Sequence, residues 1–440
     1  MENSRYQGDD AFWRQANRHV LKYGGPGGNF FDFVPVRAEG SWLYDAGDRK
    51  MLDFTSGQMS SILGHSHPEI VAAIQEAASR LDHLHSFMLS RPVVELSAAL
   101  AELVPELPRV MLLSTGSEAN EAAIRLAKIV TGKWEVVGFS QSYHGSTGGS
   151  AASTYSTARR GQGPMIPGNF AIPAPNALRP RFPGVTWQQE LDDSFNLIDR
   201  QSTGNLAAFI AEPILSTGGV LDLPIGYLAA LKAHCERRDM LLILDEAQTG
   251  LGRTGAMFAF ERDNIVPDVL TLSKTLGAGV ALSAVMATEA ISQVADERGF
   301  FFTTTHVNDP FTASVGLKVV EIVRRDRLDE RARVLGGRLK AGLQNLMQRH
   351  QCVVDVRGRG LLLGLEFGAF EDKSAAEVSS TVTRSALRRG LSASITGASS
   401  GVEGGVMRIA PPLTLSEDEI DVGLEILDAA MREVVDQAAA

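Results

Sequence analysis

The chain has 440 residues, of which 44% are hydrophobic and 21% charged, with a formal net charge of -10. That length suits a large domain with a smaller companion, and the acidic surplus argues against a nucleic-acid backbone as partner. The only cysteines are Cys235 and Cys352, and no apolar run approaches the ~20 residues of a membrane helix; this excludes a disulfide framework, a thiolate metal centre and a membrane span, and predicts a cytoplasmic protein.

The N-terminal stretch Met1–Gln15 carries acidic residues and no continuous apolar core, so no secretory signal is expected. Trp42–Asp53 reads as strand, turn and strand around Gly47-Asp48. From about residue 105 to 290, short β-branched apolar runs alternate with helical patterns. The runs are Val110–Ser114, Glu135–Phe139, Ala207–Glu212, Leu241–Asp245, Val269–Ser273 and Leu282–Ala287. Near-continuous hydrophobicity marks strands covered on both faces, so the fold class is α/β with a mostly parallel sheet. A helix over Glu118–Val130 places Ala122, Leu126 and Ile129 on one stripe, with Gly132 as C-cap. The Pro/Gly-rich stretch Gly161–Gly184 reads as one long loop, either a surface excursion or an active-site wall. The C-terminal part mixes long helices with the strand-like Val353–Val356 and Gly360–Glu366, and the Ala-rich tail Val435–Ala440 is expected to fray. The expected division is a large domain over residues 61–311 and a small α+β domain built from residues 1–60 and 312–440.

Three local motifs carry chemistry. Asp245 ends an apolar strand, at the edge where open α/β sheets bind ligands. Lys274 directly follows a buried strand and precedes a Gly-rich segment; burial lowers a lysine pKa toward imine-forming chemistry with a carbonyl cofactor. Ser114–Asn120 follows a strand and opens a helix, so the free N–H groups at that helix start, with the Ser117 hydroxyl, suit a phosphate. Each has a plain structural alternative: a capping acid, a lysine reaching water, an ordinary N-cap. Together with the aromatic ring of Tyr143, they match the needs of pyridoxal-5′-phosphate (PLP): phosphate anchor, face contact, acid at the ring nitrogen and covalent tether. His144 is given no chemistry. Gly250–Gly255 spells G-x-G-x-x-G, but no amphipathic helix follows, so a dinucleotide site is set aside.

These motifs resemble the class III (fold type I) PLP-dependent aminotransferases, over nearly the whole chain from Phe12-Trp13-Arg14 to Ser416–Glu419. Gln58-Met59 and Thr305-His306-Val307 with Asp309-Pro310 point to the 2,2-dialkylglycine decarboxylase branch. The resemblance implies Lys274 as tether and proton shuttle, Asp245 at the pyridinium nitrogen, Gln248 at the phenolic oxygen, and Gly116 and Ser117 at the phosphate. Thr305 would reach across from a neighbouring subunit, which implies a homodimer or a homotetramer. Arg408 would grip the substrate carboxylate, with Gln58, Met59, Thr217 and Thr303 around the substrate and Gln58 placing a departing carboxylate. An alkali cation, K+ or Na+, would lie near Ser86, Asp309 and the main-chain oxygens of Leu84, Thr305 and Val307. The implied reaction is decarboxylation-dependent transamination of an α,α-disubstituted amino acid, with an α-keto acid such as pyruvate as acceptor. The alternative is a plain aminotransferase or an amino-acid epimerase. The chain departs from the branch at Tyr143, Thr303 and Thr217, where the branch has tryptophan, tyrosine and serine, and at Val104, where a second cation site has threonine.

Overall fold

The computed structural model describes residues 10–23, 30–156, 159, 161, 163–396 and 405–438. Most of the N-terminal stretch considered for a signal thus lies outside the described residues. The helix Glu417–Ala438 runs through most of the tail expected to fray, with 439 and 440 outside.

Strands β1 (Pro35–Glu39), β2 (Trp42–Asp45) and β3 (Lys50–Asp53) form an antiparallel meander. Its second turn is held by Asp45, whose Oδ1 accepts from Gly47 N and Arg49 N, both at 2.9 Å. The central strands follow: β4 (Arg109–Leu113), β5 (Glu135–Phe139), β6 (Asn169–Ile172) and β7 (Leu206–Ala211). After the short ribbon β8 (Ile214–Leu215) and β9 (Leu221–Asp222) come β10 (Leu241–Asp245), β11 (Val269–Leu272) and β12 (Ser283–Ala287). The seven-stranded sheet has the order β4-β12-β11-β10-β7-β5-β6. All its pairings are parallel except those of β12, which runs antiparallel to both β11 and β4. The reason is the link: a parallel neighbour needs a crossover of about a dozen residues or more, usually a helix, and the connection from β11 to β12 is the shorter stretch 273–282, whose one helical turn is Lys274–Gly277.

Alternation along β10 sends Leu242 and Leu244 to one face and Ile243 and Asp245 to the other. The first pair packs with Phe209, Leu270 and Leu272. On the opposite face Ile243 joins Ala208, Ile210 and Val269 beneath Ala119, Ala123 and Ala127 of the helix Gly116–Thr131. Each fully buried leucine, isoleucine or phenylalanine contributes about 1.5–3 kcal/mol, so a one-residue slip of β10, which would exchange the faces, is strongly disfavoured. That helix has a capping box: Thr115 accepts from Glu118 N, and Glu118 accepts from Thr115 N. Gly132 closes it in the left-handed region. Its buried face is wider than the expected stripe, with Ala119, Ala123, Ile124 and Ala127 in addition to Ala122 and Leu126.

Two expectations are corrected. The stretch Gly161–Gly184 is not all loop, because Asn169–Ile172 adds β6 to the sheet edge beside β5. A four-residue strand between Gly168 and Pro173 is too short to stand out by pattern, and the edge is where such a strand fits. In the C-terminal part Gly360 belongs to the turn between β13 (Val353–Arg359) and β14 (Leu362–Phe367), not to a strand.

Three further strands complete the structure: β15 (Leu391–Ser392), β16 (Ser394–Thr396) and β17 (Val406–Ile409). β15 pairs with β3, while β16 and β17 extend the β13–β14 sheet. The two ends of the chain are thereby joined: Leu52 N donates to Gly390 O at 2.7 Å, and Ala410 N to Phe54 O at 2.7 Å. Among the described residues no helix is long and apolar enough to cross a membrane. Both cysteines are free and buried.

Candidate active site

A cavity of about 630 Å³ opens beyond the carboxyl ends of β10 and β11. It is lined from the sheet by Asp245 and Lys274, from the helix start by Gly116 and Ser117, and from the chain ends by Gln58 and Arg408.

Asp245 is buried and its carboxylate is fully engaged. Oδ2 accepts from Asn120 Nδ2 at 2.7 Å and from His144 Nδ1 at 2.9 Å, and Oδ1 from Ala247 N at 3.1 Å. A carboxylate only accepts, so the imidazole proton sits on Nδ1. Burial alone would raise the Asp245 pKa; the His144 hydrogen bond and charge, the Lys274 charge and the Ala247 N–H outweigh it and hold the pKa below the ordinary value. The group stays an anion. Asn120 reaches it because it lies on the buried face of the helix Gly116–Thr131, which covers the Asp245 side of the sheet; its Oδ1 accepts from Thr271 Oγ1 at 2.7 Å.

Lys274 starts the reversing turn between β11 and β12 with φ 38°. Ser60 pins that turn, donating to Lys274 O at 3.0 Å and accepting from Gly279 N at 3.1 Å. Burial lowers the Lys274 pKa; the charges of Asp245 and Glu212 oppose this, Arg408 adds to it, and the net direction is down.

The phosphate-type cradle is built at the helix start. Ser146 N donates to Ser117 Oγ at 3.1 Å, and a Cβ on Gly145 would lie 2.5 Å from that oxygen, so only glycine fits. Tyr143 lines the cavity beside it. An anion-binding helix start, an aromatic ring, a carboxylate that stays ionised and a buried amine of lowered pKa share one cavity. These residues fit PLP.

Arg408, on β17, is 8% exposed. Among the described residues it donates only to neutral oxygens: Gln248 Oε1 at 3.0 Å, Ser216 Oγ at 3.4 Å and Ser394 Oγ at 3.5 Å. Burial pushes its pKa down to about 10, against the opposing charge of Glu212. Gln248 and Thr217 line the cavity, and Gln248 Nε2 lies 3.5 Å from Thr217 Oγ1. Gln58 is exposed toward the cavity on the turn Ser56–Met59, where Ser56, Gly57 and Met59 all have positive φ. Asp53 holds this turn, accepting from Gly57 N at 2.6 Å, Thr55 N at 2.9 Å and His65 Nε2 at 2.8 Å.

Not every expected residue reaches the cavity. Met59 is fully buried in a separate apolar cluster with Ile214, Val220 and Val406. Thr303 and Thr305 are exposed and do not line the cavity of their own chain. At the expected cation position Ser86 Oγ donates to Thr304 O at 3.2 Å. Asp309 caps the helix Pro310–Arg325 through Phe311 N, and its Oδ2 faces His83 Nδ1 at 3.2 Å and His306 Nδ1 at 2.5 Å. Two imidazoles therefore stand where only oxygen donors were expected, with Leu84 half-buried and Val307 buried nearby in the chain.

Sequence reasoning missed Asn120, His144 and Glu212. Asn120 had a usable signal, a polar residue on the apolar face of an otherwise alanine-lined helix. Glu212 had none, since an acid closing an apolar strand is ambiguous. It is buried, its Oε1 accepts from Tyr143 N at 2.9 Å, and its Oε2 has no partner among the described residues. Burial, reinforced by Asp245, raises its carboxyl to about 7 although His144 and Lys274 oppose it.

Comparison with known proteins places the fold in a family. An uncharacterised aminotransferase of Schizosaccharomyces pombe is 50% identical over 430 residues, covering 96% of this chain and 94% of its own. The 5-aminovalerate aminotransferase of Pseudomonas aeruginosa is 34% identical over 415 residues, covering 91% of this chain and 93% of its own. Among solved structures, an (S)-enantioselective omega-transaminase from Thermomicrobium roseum superposes with a TM-score of 0.88 at 30% identity, covering 98% of this chain and 100% of its own. These relatives transfer amino groups by name, and nothing in them supports the narrower decarboxylase branch. The family model for aminotransferase class-III matches residues 23–431, and with the fold type I architecture and the site described above, the chain belongs to the class III, PLP-dependent aminotransferases.

Proposed function

We propose that this enzyme moves an amino group between a carboxylate-bearing amino acid and an α-keto acid. The observation that carries the reading is Arg408, a buried guanidinium without an acid partner among the described residues, in the same cavity as Lys274 and Asp245. A desolvated cation of this kind selects an anion, and a guanidinium fork suits a carboxylate.

PLP, when bound, supplies the electron sink for bonds at the substrate carbon and carries the amino group between the two half-reactions. The chain's residues do the rest. Gly116 and Ser117 would hold the phosphate at the helix start. Asp245 would keep the ring nitrogen protonated, its own charge secured by Asn120 and His144. Lys274, with its pKa lowered by burial, would tether the cofactor and then move the proton at the substrate carbon. Arg408 would orient the carboxylate. Thr305, exposed and outside its own cavity, supports a homodimer in which it serves the neighbouring site.

A second reading follows from Gln58, an amide in the same cavity as Arg408. It would let a carboxylate be held in a different direction and be lost as CO2 from an α,α-disubstituted amino acid. A substrate panel read for both amino transfer to pyruvate and gas evolution tests the two. Transfer from ordinary amino acids without CO2 supports the first; CO2 and ketone from 2-aminoisobutyrate support the second. Inversion at the substrate carbon with neither product would reject both in favour of an epimerase.

A further inference from the structure

The Gly250–Gly255 segment has no part in the reading above, yet it is built with care. Gly252 and Gly255 both have φ 90°, and a Cβ there would press on Asp329 N at 3.1 Å or on Arg333 Cβ at 3.0 Å. The glycines therefore serve close packing against the helix Leu328–Arg349, and no dinucleotide helix follows. The turn they form presents Arg253, whose relative exposure is zero.

A buried guanidinium is costly without compensation. Arg253 is compensated in part, through its two terminal nitrogens, by neutral oxygens from three separate segments, while its Nε has no partner among the described residues. Its Nη1 donates to the carbonyls of Pro411 and Leu361, and its Nη2 lies 3.5 Å from Ser56 Oγ. Ser56 Oγ donates onward to Ala410 O at 2.5 Å. Arg253 and Ser56 thus hold two successive carbonyls just beyond β17, the strand that bears Arg408. Ser56 also stands two residues before Gln58. An apolar side chain would fill the space without the desolvation cost, but it would leave those acceptors unbound and the two segments untied.

We infer that Arg253 is a positioning residue for the substrate-carboxylate site, tying the Gln58 turn to the Arg408 strand. The inference rests on the reading of Arg408 as the carboxylate-binding group. Arg253 touches neither substrate nor cofactor; it acts by fixing where Arg408 sits. A forked, planar donor is needed because acceptors on different segments must be met at once, which lysine's single ammonium does less well.

The test uses the holoenzyme with Arg253→Lys, Arg253→Met and Ser56→Ala. KM and kcat for the amino-acid donor, the inhibition constant of propionate, and PLP affinity are measured. Misplacing a binding group by about 1 Å costs up to roughly a hundredfold, so Arg253→Met should raise KM and the propionate constant about ten- to a hundredfold. Arg253→Lys should raise both less, Ser56→Ala least, and the Lys and Ala changes together should be less than additive. PLP affinity and kcat should stay within about twofold of wild type by the same argument. A merely structural arginine would lower the melting temperature and leave the propionate constant alone, and that result overturns the inference. Should Arg253→Met not fold, the Lys and Ala variants decide by the same readings. Arg408→Gln separates the two levels. If it leaves KM and the propionate constant unchanged, the carboxylate reading itself fails; if it raises them while the Arg253 and Ser56 variants do not, only the present inference fails.

Discussion

The two halves of the cavity handle charge in opposite ways. On the sheet side Asp245 has three donors on its two oxygens, so its charge is fixed, as its proposed role at the ring nitrogen requires. On the side built from the chain ends, Arg408 has only neutral partners among the described residues, which is what its proposed role toward a ligand carboxylate requires. The backbone shows the same contrast. The sheet side rests on regular strands with every residue of β7, β11 and β12 buried, whereas the rim rests on a turn with three positive-φ residues held by one aspartate. Chemistry common to a family belongs on the rigid half, and choice of substrate on the half assembled from distant segments.

Four experiments would break or sharpen this contrast. Lys274→Ala should abolish transfer, lowering turnover by about 10⁴-fold or more as both tether and proton carrier are lost; bound PLP should lose the colour of its lysine adduct. Wild-type turnover in that variant would remove the sheet side from the chemistry. Asp245→Asn should keep PLP bound but cost turnover about a hundredfold or more, because a fixed charge is replaced by a dipole. Rapid single-turnover measurements with saturating amino acid check this. Arg408→Gln should act mainly on KM, raising it roughly ten- to a hundredfold, the scale of a charged hydrogen-bonding group worth about 1.5–3 kcal/mol; an effect confined to kcat would contradict the contrast.

The smallest effect concerns the rim's support. Burial works to raise the Asp53 pKa, but His65, Thr55 and Gly57 donate to it and bring it below 3.8, the ordinary value. A folded-state pKa below the unfolded one adds stability that is present above the unfolded pKa and is lost as pH falls through the folded value. Asp53→Asn should therefore destabilise the protein by about 1–3 kcal/mol at neutral pH. The gap from wild type should narrow as pH falls through the ordinary aspartate value of 3.8 toward the lower folded one. Denaturant titrations at several pH values would show it; a constant gap would mean that Asp53 contributes shape and not charge.

Much of the sheet side was legible in advance. Continuous apolar runs ending in Asp245 or shortly followed by Lys274 are local patterns, and strands of five and four residues suffice to display them. Even there the environment was hidden: Asn120 and His144 come from other segments, and only the fold brings them to Asp245. The rim was less legible. Resemblance put Gln58 and Met59 together at the substrate, but the positive-φ turn sends Gln58 to the cavity and Met59 into an apolar cluster. Asp309 was expected among oxygen donors, and its carboxylate faces two imidazoles.

By itself, then, the order of residues determined the α/β class, the runs that became the central strands and the two strand-end groups facing the cavity, because periodicity and strand-terminal chemistry act over a few neighbours. Tertiary structure alone decided which charges are satisfied and which are left open. Burial and hydrogen-bond partners depend on segments such as Arg253, Ser56 and Pro411 meeting at one point, although Arg253 lies 158 residues from Pro411 and 197 from Ser56 in the chain.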